Sequence, residues 1–214
     1  MKTIKIITLF MLMYASLSAQ NEKFTKVMLT HLEKAKTAKE VAEFQDLANS
    51  FERIAMAEKS EWTAWYYASY YNFLAGVTET ENDKKMQFIE KSRKMIDAGL
   101  KVKKEETELM VIKVLSYYIE MSIDQMKAME LMPLAKGLLE QAKAINPENP
   151  RIYLNQAQAV FNTPPAFGGG KEKALPIILL AKEKFDTFVP ENQLVPIWGK
   201  ENCDEILTGC QSEN

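Results

Sequence analysis

A single histidine and two cysteines are what the 214 residues offer toward metal and redox chemistry. His31 stands without a cysteine or acidic cluster at ligand spacing, so it cannot build a zinc site alone, and no Ser-His-Asp arrangement can be read around it. Its neighbours Met28, Leu29 and Leu32 make it an ordinary helix position. Cys203 and Cys210 form no C-x-x-C pair, which removes a dithiol redox motif. Charge of one sign is missing too: 27 basic against 29 acidic side chains leave a formal charge of -2. Without a long basic run, there is no field to hold nucleic acid or an anionic lipid surface. Sustained apolar-polar alternation between hairpin turns is absent, so no sheet is expected. The sequence shows no motif for a cofactor or a metal.

The N-terminus is the exception to the even charge pattern. Lys2 and Lys5 precede an apolar run from Ile6 to Tyr14 and a stretch of mainly small residues from Ala15 to Ala19. That run is well short of the roughly 20 residues that span a bilayer, so residues 1–19 read as a cleaved secretory signal. Leu17 and Ala19 fit the cleavage rule only loosely. Removing the signal takes the formal charge to -4, because it carries Lys2 and Lys5. The expectation is an exported chain, periplasmic or attached to the cell envelope, with no membrane-spanning segment after cleavage. Export makes the two cysteines worth weighing. On one unbroken helix, seven residues place them about 10 Å apart, beyond disulfide reach. They are therefore either a clip across a helix broken at Gly209 or two free thiols.

From Asn21 onward the apolar spacing is helical. Val41, Phe44, Leu47, Ala48, Phe51, Ile54 and Ala55 recur at three and four, which gives one stripe. The fold class is all-α, with helices expected at 22–35, 39–57, 61–76, 83–99, 105–123, 132–145, 150–162, 171–187 and 200–208. Ser60, and Asn82 with Asp83, are cap candidates, while Asn146-Pro147 and Asn149-Pro150 end one helix and start another. The domain plan is a helical-repeat domain over 20–199 followed by a C-terminal helix and tail over 200–214.

Within "AKGLLEQAKAINP", Ala135, Leu139, Ala142 and Pro147 stand at spacings of four, three and five. Small residues there let two helices approach closely, and the proline stops the second helix. The frame recurs as Ser92, Ile96 and Gly99, with Lys104 at the proline position, and as Ala174, Ile178 and Ala181, with Asp186 there. Trp62, Glu108 and Tyr153 align the preceding helices, 46 and 45 residues apart. The chain thus resembles the tetratricopeptide-repeat family over roughly 60–187, with a longer period than the usual 34 or so. The run "INPENPRIYLNQAQAVFNTPPAFGGGKEKALPIILLAKEKFDTF" is similar to a group of exported repeat proteins of Bacteroidetes-type bacteria. Missing prolines, the stretched period and Glu108 at a usually aromatic position are its departures. The resemblance implies antiparallel helix pairs stacked as a short solenoid, with 22–57 supplying a degenerate capping pair.

"NTPPAFGGGKEKA" invites a phosphate-loop reading, which fails on chemistry. Aligned on Gly170-Lys171, a Walker A pattern meets Pro165 in place of its first glycine and Glu172 in place of its hydroxyl. The expectation is instead a joint: Pro164 and Pro165 end one helix, Gly168, Gly169 and Gly170 turn the chain, and Phe167 points inward as a plug. Glu105, Glu106 and Glu108 are expected on solvated helix surface.

The run "WTAWYYASYYNF" carries more aromatics than one helix face can bury. What the repeat's concave positions imply is an inner surface of Tyr67, Tyr70, Tyr71, Lys113, Ser116, Tyr117, Gln158 and Asn162. Such tyrosines either contact a ligand or pack against the N-terminal pair and the loops. The functional expectation is a non-enzymatic exported protein that recognises a protein or peptide partner through this face. The alternatives are a small-molecule-binding component of an envelope transport system and a homo-oligomeric scaffold.

Overall fold

The computed structural model describes residues 22–212, and the signal region 1–19 lies outside them. Nine α-helices fill the described residues, with no strand among them: α1 over 22–35, α2 Val41–Ala57, α3 Trp62–Thr78, α4 Asn82–Val102, α5 Thr107–Ile123, α6 Ala128–Ile145, α7 Pro150–Asn162, α8 Lys171–Thr187 and α9 Lys200–Gln211. No helix here is long and apolar enough to cross a membrane.

The helices form neighbouring pairs that stack. α3 packs on α4, α5 on α6 and α7 on α8, while α3, α5 and α7 also touch one another in sequence. α2 packs in front of α3, and α9 closes the other end against α7 and α8. The repeat frame predicts this packing well: Ser92, Ile96, Ala135, Leu139, Ala142, Ala174, Ile178 and Ala181 are at most 3% exposed, and Gly99 is buried with them. Small side chains at these points let backbones close up, as Ser92 shows by donating its hydroxyl hydrogen bond to the Ser69 carbonyl of α3 at 2.8 Å. Two apolar clusters result, one built on α1–α4 with Leu109 and Ile112 of α5 and one on α5–α9; Leu100, Leu115 and Trp198 pack against both.

Helix ends follow the sequence signals closely, with informative departures. Asn149 caps α7, its side chain accepting from the Arg151 amide at 2.9 Å, with Pro150 in the first turn. Glu81, not Asn82, precedes α4, and α3 begins after Glu61 without a side-chain cap. α6 begins four residues before the expected 132. A 3-10 turn, Gln125–Lys127, leads into it, and Asp124 caps that turn by accepting from the Met126 amide at 3.0 Å. Pro133 sits inside α6.

The C-terminal helix runs through Gly209 without a break, so Cys203 and Cys210 stand on one helix as free thiols. Gly209 has a different purpose: a Cβ there would lie 2.9 Å from the Phe161 ring. His31 packs edge-on to Phe51 at 5.7 Å, and burial lowers its pKa.

Candidate functional site

Between α8 and α9 the chain returns as a strap, 188–199, with a turn at 191–195, across the stacked first helices. Three hydrogen bonds pin it. Tyr67 donates its hydroxyl to the Leu194 carbonyl at 3.1 Å, Arg151 donates to the Pro196 carbonyl, and the Trp198 indole donates to the Tyr66 hydroxyl at 2.6 Å. The Trp198 ring also stacks on Tyr70 with centroids 5.5 Å apart. This strap answers the question set by the aromatic run. Tyr67 and Tyr71 are buried against Phe51 of α2, and Tyr70 lies beneath Trp198, so these rings are packed into the protein rather than lining an open groove. Burial pushes the Tyr70 phenol up to about 12 and raises the others further, so all remain neutral hydrogen-bonding groups.

The α5 residues of the expected inner surface face α4 instead. Lys113 pairs with Asp97 at 2.8 Å, and buried Ser116 accepts from the Arg93 guanidinium at 2.8 Å. The same guanidinium lies 5.0 Å from the Tyr117 ring centroid and pairs with Glu120 at 2.6 Å. Gln158 is half-buried on α7, and Asn162 is exposed beside the α8–α9 end, lining a surface with Pro165 and Cys210. The eight residues thus fall into three separate places.

Two carboxylates expected in solvent are buried. Glu106 caps α5, accepting from the Glu108 amide at 3.1 Å, and pairs with Lys103 at 2.7 Å. Glu108 is 5% exposed and pairs with Arg151, itself fully buried, at 3.0 Å. Asn149 donates to the same carboxylate oxygen at 2.9 Å, and the guanidinium is boxed by Phe185, Phe188 and Trp198. Glu108 at the aromatic repeat position is thereby explained: it meets the arginine that anchors the strap. Burial pushes its carboxyl up to about 7, against the pull of Arg151 in the opposite direction. Glu105 alone of the three is exposed.

The glycine loop offers no phosphate cradle. The amides of Phe167 and Gly169 both bond the Pro164 carbonyl, that of Gly168 bonds Pro165, and that of Gly170 bonds Val160 at 2.9 Å. Gly168 and Gly170 have φ of 88° and 100°, which side chains resist. Phe167 ends the 3-10 turn Pro165–Phe167 facing outward, 82% exposed, and the expected inward plug is absent. Pro165 instead lies under Gly170, where an added Cβ would meet its ring at 3.0 Å.

Phe167 forms the lip of a cleft of 580 Å³ between α6 and α7, within the roughly 300–1,000 Å³ of small-molecule sites. Met132 and Leu139 of α6, Ala159 and Val160 of α7, Ile177 of α8 and the Tyr118 ring of α5 give it apolar walls. Lys136 and Lys143 line it as well, and the Lys143 ammonium stands 5.3 Å from the Tyr153 ring. Gln156 and Glu140 bond each other across it at 3.1 Å. Burial pushes Tyr118 up to about 12, so it enters the cleft as a neutral phenol. Apolar walls and two lysines thus meet in one cleft. No paired nucleophile and base is assembled there.

A second, polar cleft of 470 Å³ lies beside the Glu108–Arg151 pair, lined by Trp62, Lys103, Lys184 and Phe188 among others. Its lysines are engaged by Glu106 and Glu148. No group of three or more His, Cys, Asp or Glu side chains among the described residues could hold a metal ion.

Sequence reasoning missed Tyr118, Lys136, Lys143 and Val160. The nearest signals were the adjacent Tyr117 and the α7 positions 158 and 162, one or two residues out of phase on their helices.

No family model matches the chain, and no curated protein does. Among solved structures, the chain is similar to the HusA haemophore from Porphyromonas gingivalis, with 25% sequence identity, a TM-score of 0.79, and coverage of 88% of this chain and 92% of that one.

Proposed function

We propose that the chain is an exported, non-catalytic small-molecule carrier of the haemophore kind, which holds haem or a related flat tetrapyrrole in the α6–α7 cleft. The likeness to the HusA haemophore across nearly the whole of both chains carries this reading. The cleft supports it: Met132, Leu139, Val160 and Phe167 would meet the faces of the ring, and Lys136 and Lys143 would pair with its carboxylates. The small-molecule alternative thus replaces the protein partner as the main reading.

Titration of the chain lacking residues 1–19 with haemin, followed by the Soret absorbance, tests this directly. The expected result is a saturable shift at one equivalent. Val160→Asp should weaken it by about tenfold or more, because an ionised carboxylate would be buried against the ring. An unchanged Soret band in the parent chain sinks the function. A shift that Val160→Asp and Lys136→Glu leave untouched sinks the cleft.

A further inference from the structure

Four methionines are conspicuously exposed among the described residues, and three of them fall within seven consecutive positions. Met126 is 86% exposed, Met129 91% and Met132 41%. Methionine is ordinarily a buried type, and none of the three belongs to either apolar cluster. Core packing therefore does not account for Met126 and Met129, and Met132 stands at the cleft wall.

Their spacing of three and three makes each the near neighbour of the next along the chain. Met126 lies in the 3-10 turn Gln125–Lys127, where side chains three apart eclipse, and Met129 and Met132 follow in the first turns of α6. In a helix such neighbours have Cβ atoms about 5–6 Å apart, and the three rotatable bonds of each methionine let sulfur atoms converge from that distance. The turn is pinned at its start by the Asp124 cap and by the Lys127 amide bonding the Asp124 carbonyl at 3.1 Å. The nearby Lys127 and Glu130 face each other at 3.7 Å, so the local charge is compensated.

We infer that Met126, Met129 and Met132 form a three-thioether site for a soft monovalent metal ion, Cu(I) being the ion of that class. Thioether sulfur is a soft ligand that selects such ions over zinc, magnesium and calcium. It also carries no proton, so binding releases none and is independent of pH, unlike binding by a thiolate. The site shares Met132 with the cleft of the carrier reading, but Met126 and Met129 lie outside the cleft lining, so titration without haemin tests it separately.

Ag(I), a redox-inert analogue, is the probe. The chain would carry Cys210→Ser, because Cys210 is half-buried, whereas Cys203 is 1% exposed. Methionine methyl signals in proton-carbon NMR spectra report each sulfur. The three signals should move together and stop at one equivalent, with the same midpoint at about pH 6 and about pH 8. Met129→Leu conserves volume at an exposed site and should fold as the parent. It should weaken binding by at least the roughly tenfold that loss of an outer-shell partner causes at metal sites. Signals that stay in place, that move with separate midpoints, or that respond equally in Met129→Leu would each overturn the site.

Discussion

At the scale of the residue, the Glu108–Arg151 pair is the most demanding feature of the molecule. Taking two charges out of water is expensive, and only their close contact with the Asn149 and Pro196 partners offsets it. Arg151→Ala should therefore cost about 3–5 kcal/mol in urea unfolding, because Glu108 would remain buried and unpaired. Adding Glu108→Leu to Arg151→Met should recover much of that loss. A cost below about 1 kcal/mol for the single change would mean that the pair is effectively solvated. The pair also sets a pH dependence with a definite sign. Burial raises the Glu108 pKa from 4.5 to about 7, so the folded chain holds a proton that the unfolded chain releases. Its contribution is full below about 4.5 and is lost as pH rises through about 7. His31, with a lowered pKa, acts in the opposite direction, so the difference between the wild type and Glu108→Gln isolates the carboxylate. The stability of the wild type relative to Glu108→Gln should fall steadily as pH rises from about 4.5 through about 7 in urea unfolding.

At the scale of the element, the joint between α7 and α8 separates a glycine that the fold needs from one that it does not. A Cβ on Gly169 would stand 2.2 Å from the Thr163 carbonyl oxygen and 2.5 Å from that of Val160, both backbone atoms that cannot swing away. Gly169→Ala should cost about 1–3 kcal/mol or more by thermal or urea unfolding. Gly137, inside α6, has nothing within 4 Å of such a Cβ, and Gly137→Ala should gain about 0.5–1 kcal/mol in the same assay. Equal effects at the two sites would refute the close approach. The helices themselves were legible because their signals are local. Apolar spacing of three and four marked each stripe, and Asn149-Pro150 marked the start of α7 to the residue. Where the expected boundary was late, at 132, an Asp124-capped turn supplied an earlier start to α6.

At the scale of the whole molecule, the strap adds a further tie between two clusters that α4, α5, Leu100 and Leu115 already join. Trp198 packs against both apolar clusters, stacks on Tyr70 and bonds Tyr66. Trp198→Ala should cost about 3 kcal/mol or more and diminish the near-ultraviolet circular dichroism of the buried tyrosines; an unchanged spectrum and midpoint would show the strap to be a passive connection. The candidate cleft was only partly legible, because one residue along a helix turns a side chain by about 100°. Tyr117 and Tyr118 therefore face different neighbours, and the repeat frame selected the one that meets Arg93. By itself the sequence determined the all-α class, the helix order and the small buried positions at which pairs close, all of which depend on contacts within a few residues. Only the tertiary structure decided that the tyrosines are covered, that Glu108 is buried and that the cleft opens between α6 and α7. Tyr67 meets Leu194 across 127 residues of chain, and Tyr66 meets Trp198 across 132, distances at which periodicity leaves no mark.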